Sequence, residues 1–296
     1  TMVKKKIIVL GGSGFLGSHV ADSLSANFQV TIIDQKKSKW IRSDQKFIKG
    51  DISNPESFSN ILKKTDYVYN FAAISDIAQA NKNPEDTVKV NVLGLVKFLN
   101  LCFKAKIKKY IHASTIYVSG DHGGFYKASK LSAESYVKEF FKIHNLKYCI
   151  LRYGTLYGPR SESTNGLHSI IKDMIKNKKI TYSGDKESMR DYIHVTDAAR
   201  ISQDILSKNF DNKTLIVSGP QNYKIIDILE MISEISGIKK IRFVKKNKIK
   251  LHSHYLRTPY SSENTIDALP VKYSSNFNVD MGQGLTTLIQ ELRKKY

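Results

Sequence analysis

The chain has 296 residues, 41% of them hydrophobic and 25% charged, with 17 Gly and 6 Pro, a balance that belongs to a folded globular protein and excludes collagen-like, mucin-like and linker-dominated chains. Its 47 Lys and Arg against 27 Asp and Glu leave a net charge of +20, enough to attract polyanions. Yet the cations are dispersed, and no zinc-finger spacing, basic heptad or interleaved Arg and aromatic pattern marks a nucleic-acid module, so neither a nucleic-acid partner nor a metal site is expected.

Residues 7–10 form the first apolar run. Lys4-Lys5-Lys6 before it give the look of a leader, but Gly11 and Gly12 end the run after four residues, so a buried strand is the better reading, and Thr1 before Met2 reads as vector-derived. Further strand-like runs fall at 30–33, 67–69, 110–112 and 148–151. Between them, 15–26, 55–63, 85–103 and 126–143 carry apolar residues at helical spacing, with Pro55 and Pro84 near helix starts. Strands alternating with helices indicate βαβ units and an α/β, doubly wound parallel sheet. After Pro159 the pattern loosens into helices at 167–176, 197–206, 225–235 and 284–293 and a strand at 180–182, a smaller mixed lobe. The expected division is 2–160 for the sheet domain, with possible later returns to the sheet, and 161–296 for the second lobe. No run reaches the ~20 apolar residues of a bilayer span, and Cys102 and Cys149 sit in apolar surroundings as reduced core residues of a cytoplasmic protein.

Gly11-Gly12-Ser13-Gly14-Phe15-Leu16-Gly17 is a G-x-x-G-x-x-G turn between the first strand and the first helix. The first glycine permits the bend, the second lets amides approach a pyrophosphate, and the third lets helix and strand pack closely. Asp34 ends the next strand, roughly 20 residues on, where a carboxylate accepts from the adenosine ribose hydroxyls and repels a 2′-phosphate. NAD is therefore favoured over NADP, although Lys36 and Lys37 follow at once. Tyr126 and Lys130, in Tyr126-Lys127-Ala128-Ser129-Lys130, are four residues apart and share a helix face. Bringing a phenol from pKa ~10 to ~7 takes about 4 kcal/mol, and an ammonium at ~4 Å supplies about that much at an effective dielectric near 20.

With these motifs in series, the sequence resembles the extended short-chain dehydrogenase/reductase family, in its nucleotide-sugar epimerase/dehydratase branch. The resemblance runs from Gly11 to about Asp197. It implies that Gly11, Gly14, Phe15, Leu16 and Gly17 hold the pyrophosphate, that Asp51 and Ile52 meet the adenine, and that Phe71, Ala72 and Ala73 flank the phosphates and nicotinamide ribose. Asn91 matches a structural Asn on the central helix, and Tyr153 a residue near the nicotinamide. Thr115, in Ser114-Thr115-Ile116-Tyr117-Val118-Ser119-Gly120, falls where a hydroxyl bonds the reacting sugar oxygen and the catalytic Tyr126, with Lys130 beside it. On the substrate side the resemblance implies Thr155, Asn165, Tyr182 and Arg190, the last as a phosphate clamp. Asp191 and His194 read as satisfied polar groups bracing the lobe interface, and His122 as a solvated loop histidine.

The chain departs from the family pattern at Ser119, which replaces a Tyr, at Thr155, which replaces an Asn, and in the link 116–125, about half the family's usual length. Dehydratases of the family place Asp-Glu directly after the Thr, and decarboxylases a Glu. Ile116 and Tyr117 stand there, so the resemblance implies an NAD-dependent epimerase acting on a nucleotide sugar, most readily a UDP-sugar at carbon 4. A nucleotide-sugar dehydrogenase or 4-ketosugar reductase, and a non-catalytic dinucleotide- or polyanion-binding protein, are the alternatives. A homodimer is expected through helices 85–103 and 126–143, whose apolar faces include Leu95, Leu99, Phe140 and Phe141.

Overall fold

A computed structural model describes residues 4–244, 270–274 and 278–296. Thr1, Met2 and the lysines from 245 to 250 lie outside the described residues. The first half builds one sheet. Strands β1 (Lys6–Leu10), β2 (Gln29–Asp34), β3 (Lys46–Lys49), β4 (Tyr67–Asn70), β5 (Lys109–Thr115) and β6 (Tyr148–Tyr153) all pair in parallel. Apart from the edge strand β3, their apolar runs are nearly continuous because helices cover both faces.

Helices α1 (Phe15–Ser25), α2 (Ile77–Lys82), α3 (Pro84–Val88), α4 (Leu95–Lys104) and α5 (Gly124–His144) provide the crossovers, with a 3₁₀ helix over Pro55–Lys64. The second half adds β7 (Thr155–Tyr157), α6 (Gly166–Asn177), β8 (Ile180–Ser183), β9 (Met189–Arg190), β10 (Tyr192–His194) and α7 (Val195–Asp204). It continues with β11 (Lys213–Val217), β12 (Tyr223–Lys224), α8 (Ile225–Ser236), β13 (Ile241–Val244), β14 (Val271–Lys272) and α9 (Met281–Lys295).

Among the described residues the large sheet has the order β14-β11-β6-β5-β4-β1-β2-β3. Strands β11 and β14 thus return to it from beyond residue 160. The chain moves outward from β1 to β2 and β3, then resumes on the other side of β1 at β4. At such a reversal the two crossovers leave in opposite directions and open a crevice beyond the carboxyl ends of the strands.

Three cores hold the structure. Val20, Ala21 and Leu24 of α1 and Ala198 and Ile201 of α7 pack on one sheet face, and Leu95, Phe98 and Leu99 of α4 with Ala133 and Val137 of α5 pack on the other. The third joins α6, α8 and α9 through residues such as Ile171, Ile228 and Leu288. Lys109, 2% exposed, donates to the carbonyls of Ile205 and Ser207 at 3.0 and 2.8 Å and pairs with Asp211 at 2.5 Å. A buried ammonium is tolerated there because backbone carbonyls and a carboxylate face it just past α7. Among the described residues no helix is long and apolar enough to cross a membrane.

The expected helix at 85–103 is one continuous run of α3, a π turn over Lys89–Gly94 and α4. The wider turn has a use: Asn91, inside it, accepts from Ile74 N at 2.8 Å and donates to Ile74 O at 3.0 Å and to Ser129 Oγ at 2.9 Å. One side chain so ties the segment after β4 to α5. Leu95 and Leu99 are in the core beneath the sheet and Phe140 and Phe141 pack partly against it, whereas Val88, Leu93, Phe103, Phe125, Leu131, Tyr136 and Ile143 are exposed apolar side chains of this helical pair.

Candidate active site

The crevice beyond β1 and β4 is a cleft of about 750 Å³. The glycine turn forms its floor: Gly11, Gly14, Phe15, Leu16 and Gly17 all line it. Gly11 has φ 77°, and a Cβ there would stand 2.6 Å from Ala72 N and 2.7 Å from Phe71 C, so a side chain would push apart two walls of the cleft. The Ser13 amide donates to Asp34 Oδ2 at 3.0 Å, fixing the carboxylate at one end of the cleft. Asp51 holds the adjoining corner, accepting from Gln35 Nε2 at 3.0 Å and Ser53 N at 2.8 Å, with Ile52 beside it.

Phe71, Ala72 and Ala73 form the wall above the turn, and Tyr153 closes the far side with its hydroxyl turned to Ser202 Oγ at 2.6 Å. Asn91 does not line the cleft. It holds the wall from behind.

Thr115, Tyr126 and Lys130 line the same cleft. Thr115 ends β5, and the short link 116–125 carries the chain from it to α5. Its glycines make this possible: Gly123 and Gly124 have φ 112° and 53°, and Asn81 of α2 supplies the missing helix cap by accepting from Phe125 N at 2.9 Å. On α5, Lys130, Ala133, Glu134 and Val137 form the buried stripe. Glu134 receives Arg152 through two nitrogens at 2.9 and 2.7 Å and Ser114 Oγ at 2.5 Å. Arg152 also donates to Ser119 Oγ at 3.2 Å, which gives the departure at Ser119 a local partner.

Lys130 Nζ donates to Ala113 O at 3.0 Å and lies 5.9 Å from the centre of the Tyr126 ring. Burial raises the Tyr126 hydroxyl above its ordinary range, with Tyr117 nearby adding to the effect and a hydrogen bond with Thr115 opposing it. Burial lowers Lys130 to about 8, against the pull of Glu134. Burial thus works against ionisation of the phenol, and the Thr115 hydrogen bond works for it.

Of the expected substrate residues Thr115 lines the cleft, whereas Thr155, Asn165, Tyr182 and Arg190 lie outside its lining. Thr155 is on β7, its amide donating to Asp191 O at 2.6 Å. Asn165 caps α6 and donates to Leu156 O at 2.7 Å, so its amide is engaged by the protein. Tyr182 and Arg190 come together: burial raises the phenols of Tyr117, Tyr182 and Tyr192, and the Arg190 charge opposes this in all three. Ser75, Asp76, Gln79, Asp86, Lys89 and Thr164 line the cleft without having been expected. One carried a legible signal: Asp76 caps α2 by accepting from Gln79 N at 2.7 Å, a spacing visible in the sequence.

His194 is satisfied as expected, its Nδ1 meeting Thr196 Oγ1 at 2.7 Å. Asp191 is not. It is 1% exposed and neither carboxylate oxygen has a hydrogen-bond partner among the described residues, so burial raises its pKa from 3.8 to about 6, with Lys272 opposing. A raised folded-state value gives stability that is complete below about 4 and is lost as pH rises through about 6. Asp191→Asn is expected to stabilise the protein by about 3 kcal/mol at pH 8 and to change it little at pH 4. Denaturant titrations at the two pH values check this, and equal effects at both would contradict it.

A family model described as the NAD dependent epimerase/dehydratase family matches residues 7–218. The chain belongs to that family. It is a member of the extended short-chain dehydrogenase/reductase branch, and its cofactor is NAD. Both ends of the cleft fit that molecule, with a side-chain-free turn at the start of α1 for the pyrophosphate and a fixed carboxylate at Asp34 for the ribose.

A Methanocaldococcus jannaschii protein provisionally assigned as a UDP-glucose 4-epimerase is 28% identical over 255 residues, 79% of this chain and 83% of its own. A dTDP-glucose 4,6-dehydratase of an Actinoplanes species is 24% identical over 275 residues, 82% and 86% of the two chains. Among solved structures, UDP-glucuronic acid 4-epimerase from Bacillus cereus, in complex with UDP-glucuronic acid and NAD, superposes with a TM-score of 0.81 at 26% identity, covering 98% of this chain and 100% of that one.

Proposed function

We propose that this family member is a UDP-sugar 4-epimerase that keeps its NAD bound through the cycle. The observation carrying the reading is that Thr115, Tyr126 and Lys130 share one cleft with the glycine turn and Asp34, while the two positions after Thr115 hold Ile116 and Tyr117. Eliminating water from a sugar needs a further acid and base, and an aliphatic side chain and a phenol kept protonated by burial, its pKa pushed to about 12, do not supply the pair. Similarity to 4-epimerases acting on UDP-linked sugars supports the substrate class.

When bound, NAD supplies a hydride acceptor and donor at the sugar's carbon 4 and a positive ring charge beside Tyr126. Tyr126 takes the proton of the 4-hydroxyl and gives it back. Thr115, hydrogen-bonded to the same phenol, orients the sugar oxygen. Lys130 holds its charge behind the phenol and fixes the end of β5 through Ala113. Arg190, with Tyr182 and Tyr117 around it, receives the diphosphate end, which divides the work between a cofactor lobe at 2–160 with β11 and β14 added and a substrate lobe at 161–296. The exposed apolar side chains along residues 85–103 and α5 support a homodimer.

The test is to release and identify the nucleotide from denatured protein, then incubate native enzyme with UDP-sugars without added cofactor. Interconversion of 4-epimers is the expected result. Stoichiometric NADH change in its place would make the chain a net oxidoreductase and refute the reading.

A further inference from the structure

Residues 156–165 leave the cleft and return to it. Leu156 and Thr164 both line its wall, and the Asn165 amide donating to Leu156 O at 2.7 Å closes the base of the loop. The tip is fastened outside the cleft, on α1. Pro159 O meets His19 Nε2 at 3.0 Å, and Arg160 Nη2 donates to Asp22 Oδ2 at 2.6 Å. Arg160 itself has φ 67°, a left-handed backbone that its contacts must hold in place.

The same aspartate holds a second wall. Asp22 Oδ1 accepts from Gln45 Nε2 at 2.9 Å, and Gln45 ends the connection 35–45, which starts beside Asp34 with Gln35 in the cleft lining. Within that connection the Ser38 amide donates to Ser13 Oγ on the glycine turn at 3.3 Å. Trp40 lies under Arg160, with the guanidinium carbon 5.0 Å from the ring centroid. The two walls flanking the start of α1 are thus joined to each other at one cation–π contact, and the guanidinium holds a carboxylate and an aromatic ring at once.

We propose that Arg160 and Trp40 are a clasp governing how fast NAD enters and leaves the cleft. A dinucleotide whose pyrophosphate rests on the first turn of α1 lies between the loop 156–165 and the connection 35–45, and it passes only when those walls part. Neither residue lines the cleft, so both act as positioning residues. The clasp rests on NAD binding alone. That slow exchange suits a cycle returning its hydride to the same sugar rests on the proposed epimerase activity.

Stopped-flow NADH fluorescence on the full chain, stripped of endogenous dinucleotide, separates the two rates. Arg160→Met and Trp40→Leu are each expected to speed NADH association and dissociation together, by about tenfold, with a smaller change in Kd, and Arg160→Lys, which keeps the charge but loses the planar guanidinium, should fall between them and wild type. Thermal melts establish that each variant is folded. A rise in dissociation alone would mean a damaged binding surface and overturn the clasp, as would unchanged rates in either folded Arg160 variant or in Trp40→Leu. The readout uses no sugar, so a chain that shows the gated exchange but epimerises nothing would refute the function and leave the clasp standing.

Discussion

Tyr126→Phe is expected to lower turnover about 10³-fold, within the range that loss of a positioned acid–base group produces, while leaving NAD content and thermal stability unchanged. The separation follows from geometry. The hydroxyl bonds Thr115, while the ring is one wall of the cleft, and Phe keeps the ring. The glycine turn and Asp34, which receive the cofactor, are on other elements. Turnover of the variant on a UDP-sugar, set beside the nucleotide released on denaturation, checks both halves. Near-normal turnover would remove Tyr126 from the chemistry, and loss of NAD would make its role structural.

Gly11→Ala is expected to have the second large effect, and on binding and stability together. The new methyl would meet backbone atoms of Phe71 and Ala72 at 2.7 and 2.6 Å in a residue with φ 77°. Backbone cannot rotate aside as a side chain can, so we expect a loss of about 3 kcal/mol or more, a fall in Tm on the order of 10 °C, and no retained NAD. Gly14→Ala is the control. Its φ is −76° and the added Cβ would stand 3.3 Å from Gly11 O, so that variant should fold normally and only weaken NAD. Equal melting temperatures for Gly11→Ala and wild type would contradict the steric argument.

The parts of this fold legible in the sequence are those where burial is periodic and local. Residues 7–10 and 30–33 read as strands because helices bury both faces of the sheet there, and the glycine turn between them announces what it holds. Strand β3 was not legible because Lys46–Lys49 holds only two apolar residues, Phe47 and Ile48, between lysines at the sheet edge. Strand β11 was not legible because nothing local reveals that residues 213–217 pair with β6, 64 positions earlier at the Lys213–Cys149 register.

The site divides in the same way. The spacing of Tyr126 and Lys130 places both in the cleft, but where the ammonium points depends on Ala113, a residue of another strand. The carboxylate of Asp191 was expected to be satisfied as a polar group bracing the lobe interface; only packing shows that no donor among the described residues reaches it. The contact of Trp40 with Arg160 joins residues 120 apart, each unremarkable in its own stretch of chain.

The central claim is that one hydride leaves carbon 4 and returns to it without meeting water. A UDP-sugar carrying deuterium at carbon 4, converted by the purified protein in ordinary water and followed by mass spectrometry, tests this most directly. The account predicts that the 4-epimer formed keeps its deuterium in full. Washing out of the label would mean that carbon 4 is deprotonated rather than oxidised, and would contradict it.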